Sequence, residues 1–150
     1  MIDDDNPRVF VPPPLVFGGL LVLGLLIASN PVRSGVTPVI GMALAAGGFA
    51  LIATAIGLFR KSRTRPEPWQ PSSALVTRGL YRFTRNPMYF GMALLSFGIA
   101  LVFTSLPGAI LSVVAALIID RAVIRREEAY LTRRFGEDYL AYTRTVRRWF

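Results

Sequence analysis

Residues 75 to 91 read LVTRGLYRFTRNPMYFG. Arg78, Arg82 and Arg85 alternate with the rings of Tyr81, Phe83 and Tyr89, behind an extended stretch (Leu75, Val76) and a turn glycine, Gly79. Asn86-Pro87 closes the cluster and starts an apolar run. A basic membrane-flanking loop needs positive charge, but it does not need this order of turn, ring and guanidinium. Such residue types grip charged and planar groups, so the stretch reads as the wall of a ligand site at a membrane surface. A second charged segment follows the last apolar run: Asp120, Arg121, Arg125, Arg126, Glu127 and Glu128. At α-helical spacing Arg121, Arg125 and Glu128 share one face. The alternative for this segment is a solvated helix with intrahelical pairs, each worth about 0.2–0.5 kcal/mol. Asp120 and Arg121 stand closest to the apolar run, where unpaired charge is costly and ionisable groups point to function.

The elements that position these segments are set by composition. The chain has 150 residues, the size of one domain; 53% are hydrophobic and 17% charged, with a mean hydropathy of +0.47. The apolar residues come in long blocks, which defines an all-α integral membrane protein. There is no cysteine and no histidine. Disulfides, thiolate or imidazole metal sites, and Cys or His catalysis are therefore excluded, and no metal site is expected. The formal net charge of +8 suits basic flanks of membrane spans better than nucleic-acid binding.

Four spans are expected, at about 12–29, 39–59, 88–104 and 107–124. Pro12 to Pro14 open the first, Asn30-Pro31 and Ser34-Gly35 turn the chain, and Pro38 opens the second, since proline suits a helix start. In the second span Ala46, Ala50, Thr54 and Gly57 fall near one face, with Gly41, Gly47 and Gly48 nearby, a pattern for close helix packing. Arg60, Lys61, Arg63 and Arg65 stop it, and Pro66, Pro68, Trp69 and Pro71 make a stiff extended segment. The apolar stretch 88–119 is too long for one span, and the break at 104–108 makes it a helical hairpin. Each half is short for a ~30 Å hydrocarbon core, so the fourth helix is expected to continue into the cytoplasm.

Nearly all the positive charge lies in 60–85 and 121–148, with Arg33 alone in the first turn. The positive-inside rule puts both basic stretches, and with them both termini, in the cytoplasm; Asp3, Asp4 and Asp5 do not oppose this. A compact chain of this kind fits a bacterial inner membrane. No basic n-region or cleavage site marks a signal peptide. After Asp120 the residues Ile124, Leu131, Phe135, Tyr139, Tyr142, Val146 and Trp149 recur at three- and four-residue steps. They form the apolar stripe of an amphipathic cytoplasmic helix, interrupted at Gly136, with Trp149-Phe150 as an interface anchor.

These residues carry a family resemblance. Leu75-Val76-Thr77-Arg78-Gly79-Leu80-Tyr81, Arg85-Asn86-Pro87-Met88-Tyr89-Phe90-Gly91, Glu127-Glu128 and Phe135-Gly136-Glu137-Asp138-Tyr139-Leu140-Ala141-Tyr142 resemble the isoprenylcysteine carboxyl methyltransferase and phospholipid methyltransferase group, from about residue 75 to the end. The resemblance implies S-adenosylmethionine as cofactor, with S-adenosylhomocysteine as product. It implies a cofactor site built from segments 75–91 and 120–142, in which Leu80, Tyr81, Arg85, Asn86, Pro87, Tyr89, Glu127 and Glu128 line the pocket. Within such a site an acid accepts from ribose hydroxyls, an arginine forks a carboxylate, and tyrosine rings cover adenine or face the sulfonium. Membrane-interface anchoring is the alternative role for each of these tyrosines and arginines. The prenylcysteine enzymes usually carry R-H-P where this chain has Arg85-Asn86-Pro87. Asn86 hydrogen-bonds but does not titrate, a departure that bears on the acceptor more than on the cofactor.

The expected activity is methylation of a lipophilic acceptor, a prenylcysteine-like carboxylate or a lipid amine, with Arg121 and Glu128 as catalytic candidates and Arg121 holding an acceptor carboxylate. Methyl transfer from a sulfonium needs alignment and a dry site more than a strong base, which suits a chain without histidine. A non-catalytic membrane scaffold would explain the basic surface through anionic lipid, but not the Tyr81–Tyr89 pattern. A small four-helix transporter would be expected to hold a carboxylate within its spans, where this chain has only Asp120 at an edge.

Overall fold

In a computed structural model, residues 12–28, 35–67 and 70–149 are described. The acidic run at Asp3 to Asp5, the turn at Asn30-Pro31 with Arg33, Trp69 and Phe150 lie outside the described residues. Among those described, every regular element is helical. Helix α1 spans Pro13–Ile27, α2 Thr37–Lys61, α3 Pro87–Val102, α4 Leu106–Ile119, α5 Arg125–Phe135 and α6 Glu137–Thr145. A short 3-10 turn, Gly79–Arg82, precedes α3, and a π-helical turn, Asp120–Ile124, joins α4 to α5.

Proline stands in the first turn of each of α1 to α4, where its missing N–H leaves no bond unmade. Helix α2 ends on Arg60 and Lys61, cations placed at the negative end of the helix dipole. Two helices are long and apolar enough to cross a membrane: Thr37–Lys61, and Leu106–Phe135 taken through its π turn. Helices Pro13–Ile27 and Pro87–Val102 are apolar but shorter. The fourth helix thus runs on past its apolar part, as expected from the sequence. The hairpin break falls at 103–105, with Pro107-Gly108 inside the first turn of α4.

Helix α2 packs along α3, α1 packs along α4, and α3 and α4 form the hairpin between them. The α2–α3 seam is glycine on glycine. A Cβ at Gly48 would stand 2.5 Å from the Gly91 carbonyl oxygen, and one at Gly41 would stand 2.7 Å from that of Gly98. Gly41, Gly48 and Ala55 are the buried residues of α2 and recur every seven positions, as do Gly91 and Gly98. That is the repeat of two helices winding around each other. This corrects the expected small-residue face: Ala46, Ala50 and Thr54 point outward, and Gly47 has nothing within 4 Å of its Cβ direction.

Buried hydroxyls tie the other helices together. The Ser105 hydroxyl donates to the Gly24 carbonyl at 3.0 Å and accepts from the Gly108 N–H, capping α4. Ser112 donates to the Gly108 carbonyl at 2.9 Å. Its oxygen lies 2.7 Å from that of Ser96 across the hairpin, so Ser96 is the donor in that bond. No buried hydroxyl in this set lacks a partner, as an apolar surrounding requires.

Candidate functional site

At the charged end of the bundle a cleft opens between the 72–89 stretch and the α5–α6 pair. Its enclosed space is about 60 Å³, widening into an open mouth. Local sequence explains each wall. Gly79 takes φ +61, a turn that swings Tyr81 inward, where it is buried and meets Phe59 of α2 edge-on at 5.6 Å between ring centroids. Pro87 begins α3 and fixes the direction in which Arg85 and Asn86 approach it. Gly136, at φ +54 and ψ −128, breaks the amphipathic helix, a conformation open to glycine. The break folds α6 back so that Tyr139 and Tyr142 face the cleft.

The acidic pair sits opposite. Tyr89 donates its hydroxyl to Glu127 Oε2 at 2.9 Å. Glu128 is held from two sides. Arg85 Nη2 donates to its Oε1 at 2.8 Å, while Arg148 donates through Nε to Oε1 at 3.1 Å and through Nη2 to Oε2 at 2.5 Å. The Arg85 side chain is only 13% exposed. Its Nε is the one buried side-chain nitrogen or oxygen among the described residues with no hydrogen-bond partner, a donor that a ligand can satisfy.

The electrostatics separate the two acids. Burial pushes the Glu127 carboxyl up to about 7, with the Tyr89 hydroxyl opposing the rise and the Glu128 charge adding to it. Glu127 is therefore a proton-exchanging group near neutral pH, whereas both oxygens of Glu128 are occupied by guanidinium donors. Burial also raises Tyr81, Tyr139 and Tyr142 above the ordinary tyrosine range, so these rings stay neutral donors. Arg148 is raised by its hydrogen bond to Glu128 and stays charged.

The C-terminal segment straps this arrangement. Arg85 N–H donates to the Arg147 carbonyl at 3.0 Å. Thr84 Oγ1 and Asn86 Nδ2 both donate to the Arg148 carbonyl at 3.0 Å. Tyr142 donates its hydroxyl to the Tyr81 carbonyl at 2.6 Å, and Tyr130 accepts from the Ser72 N–H at 3.0 Å. Asn86 thus spends its side chain on the strap, a role that needs hydrogen bonding but no titration.

Of the residues expected from the sequence, Tyr81, Arg85, Asn86, Tyr89, Glu127 and Glu128 line this cleft. Pro87 is buried beneath it and Leu80 lies outside its lining. Arg121 stands apart: its side chain is 61% exposed and pairs with Asp120 at 2.8 Å. The π turn explains this. Its wider winding shifts everything before Ile124 relative to α5, so the expected shared face of Arg121, Arg125 and Glu128 does not form. Tyr139 and Tyr142 were visible in the F-G-x-x-Y-x-x-Y pattern without an assigned role. Thr84, Tyr130 and Arg148 gave no sequence signal; Arg148 looks like any arginine of a basic tail.

Two helices of membrane-crossing length and two shorter apolar ones are thus capped by a cleft of rings, paired acids and a guanidinium. The phospholipid methyltransferase family model matches residues 36–138, from α2 into α6, and the chain belongs to that family. Comparison with curated proteins and with solved structures gives no match.

Proposed function

We propose that the cleft binds S-adenosylmethionine and that the chain, as one domain of four membrane spans with both termini cytoplasmic, methylates a lipophilic acceptor at the bilayer surface. The observation that carries this reading is Glu127 and Glu128 facing the Arg85–Tyr89 segment across one cleft, in a member of a methyltransferase family. The residues fit the cofactor. The partnerless Arg85 Nε can pair with a carboxylate, Glu128 held by two guanidiniums is a fixed acceptor for ribose hydroxyls, and Tyr81, Tyr139 and Tyr142 offer ring faces. When bound, the cofactor supplies a methyl group already activated by its sulfonium charge.

The chain's own residues then orient, shield and exchange a proton. The rings of Tyr81, Tyr139 and Tyr142 line the cleft and shield a bound cofactor in part from water. A carboxylate acceptor arrives ionised and releases no proton; a lipid amine releases one, and Glu127 is placed to take it. Glu127, rather than Glu128, is the acid suited to proton transfer, because its pKa lies near the operating pH. The acceptor is a carboxylate or a lipid amine held in the membrane.

The test is transfer of radiolabelled methyl from S-adenosylmethionine into organic-extractable product by the full chain in lipid nanodiscs. Ionised Glu127 attracts the cationic cofactor and accepts the proton. Thus kcat/KM is expected to fall about tenfold per pH unit below about 7 and to level off above it. Glu127→Gln should flatten the profile. Absence of any extractable label across native lipid mixtures, with the protein folded, would remove the enzymatic reading.

A further inference from the structure

The cleft is closed tightly for a small-molecule site. Its enclosed space of about 60 Å³ compares with about 300–1,000 Å³ for pockets that hold small molecules, so one wall must yield before a ligand of cofactor size is enclosed. Most walls are fixed. The backbone contacts of Gly48 with Gly91 and of Gly41 with Gly98 lock α2 to α3, and α5 continues from α4 through the π turn, with Tyr130 buried. Helix α6 is the movable wall. It carries Tyr139 and Tyr142 over the cleft, and Tyr139 is its only buried residue. At its near end stands Gly136, exposed, at φ +54, with nothing within 4 Å of its Cβ direction. Hinges absorb their change in φ and ψ at the ends of elements, as here.

Beyond its far end α6 is clasped. Arg148 holds both oxygens of Glu128 through Nε and Nη2, and its Nη1 lies 3.5 Å from Asp120 Oδ1. Trp149 Nε1 donates to the same Oδ1 at 3.0 Å, and its ring packs against the core that holds Ile119 and Val123. Three features make this clasp releasable. The Arg148 side chain is 32% exposed against 13% for Arg85, so water takes up its charge when it lets go. Asp120 keeps Arg121 at 2.8 Å. The Arg85 N–H and Asn86 Nδ2, which serve the Arg147 and Arg148 carbonyls, belong to residues that line the cleft and become donors for a ligand. Glu128 couples clasp to cleft. A carboxylate offers about four lone-pair sites, and Arg85 Nη2 with Arg148 Nε and Nη2 fill three of them. One ribose hydroxyl fits the site left over; a second enters only where Arg148 leaves. Its departure also removes a cation from beside Glu127 and Glu128, which favours a cationic ligand.

We propose that α6 is a lid over the cleft, hinged at Gly136 and clasped by Arg148 and Trp149, and that an adenosine-bearing ligand opens it by taking Glu128 from Arg148. The identity of the ligand rests on the cofactor reading above; the clasp does not. Trp149 is the reporter. In a Trp69→Phe background it is the single tryptophan, and its quenching by acrylamide follows release of the clasp. Quenching is measured on the full chain in detergent micelles, with and without S-adenosylhomocysteine, for this background and for Arg148→Met within it. Calorimetry on the same samples gives the affinity.

The expected result is that saturation with S-adenosylhomocysteine raises the quenching of Trp149. In Arg148→Met quenching should be as high without ligand. S-adenosylhomocysteine should then bind about tenfold more tightly, the gain from an open form that was about a tenth of the population. The sign is decisive: a guanidinium that only braced Glu128 for the ligand would make Arg148→Met bind more weakly. Binding with no change in Trp149 quenching, or weaker binding by Arg148→Met, overturns the lid and leaves the cofactor reading in place. If neither protein binds and Arg148→Met still raises quenching, the cofactor reading falls and the clasp stands. If neither binds and quenching is equal in the two, both fall. If Arg148→Met does not fold, Arg148→Lys, which keeps the charge and loses the fork, carries the same test with the same signs.

Discussion

Glu128→Ala is expected to weaken S-adenosylhomocysteine binding by at least tenfold and to lower stability by about 2 kcal/mol. The carboxylate is the common anchor of Arg85 and Arg148, which approach it within 2.8 and 2.5 Å. Without it, two guanidiniums face each other with no counter-charge, and the strap that Arg148 belongs to loses its side-chain hold. Removing one partner of a fully buried pair costs about 3–5 kcal/mol. The smaller figure applies because the Arg148 side chain is 32% exposed and water screens part of the repulsion. Glu128→Gln keeps the shape and one acceptor oxygen, so it should fall between wild type and alanine. Isothermal calorimetry and thermal unfolding on the same preparation read both effects. Unchanged affinity in Glu128→Ala would remove this residue from the site.

Gly48→Leu is expected to prevent assembly of the bundle. The added Cβ alone would stand 2.5 Å from the Gly91 carbonyl oxygen and 2.5 Å from the Leu95 nitrogen. Both are backbone atoms, which move only if α3 moves as a whole. Overpacking a seam that cannot yield costs about 3 kcal/mol or more, and the remaining side-chain atoms have no space at all. Because α3 carries Tyr89 and α2 carries Phe59 against Tyr81, separating the helices also opens the cleft. The control is one residue away: Gly47 has nothing within 4 Å, and Gly47→Leu should be tolerated. Size-exclusion profiles of the two variants in detergent give the comparison. A monodisperse Gly48→Leu with normal thermal stability would contradict the packing described here.

Much of this architecture was legible in the chain. Prolines and arginines bracket the apolar runs, so helix ends fell within a few residues of the expected spans. The turn at Gly79 and the break at Gly136 followed from glycine alone, and both adopt positive φ. The segments 75–91 and 127–142 meet across one cleft because the hairpin returns the chain to the same end. What the sequence hid was rotation and long-range closure. Ala46, Ala50, Thr54 and Gly57 fit one helical face as well as Gly41, Gly48 and Ala55 do; only the glycines on α3, seven residues apart, choose between them. The π turn at Asp120–Ile124 has no residue signature, and Arg121 within it stands outside the cleft. The strap at Arg147-Arg148 is made largely by main-chain carbonyls, which no side-chain pattern announces.

The most direct measurement of the central claim is calorimetric titration of S-adenosylhomocysteine into the detergent-purified full chain, repeated with Tyr89→Phe. The account predicts micromolar binding to the wild type. It predicts weaker binding to Tyr89→Phe, because the lost hydroxyl leaves Glu127 without its 2.9 Å donor. No binding in several detergents and in nanodiscs, with the protein demonstrably folded, would contradict the cofactor site.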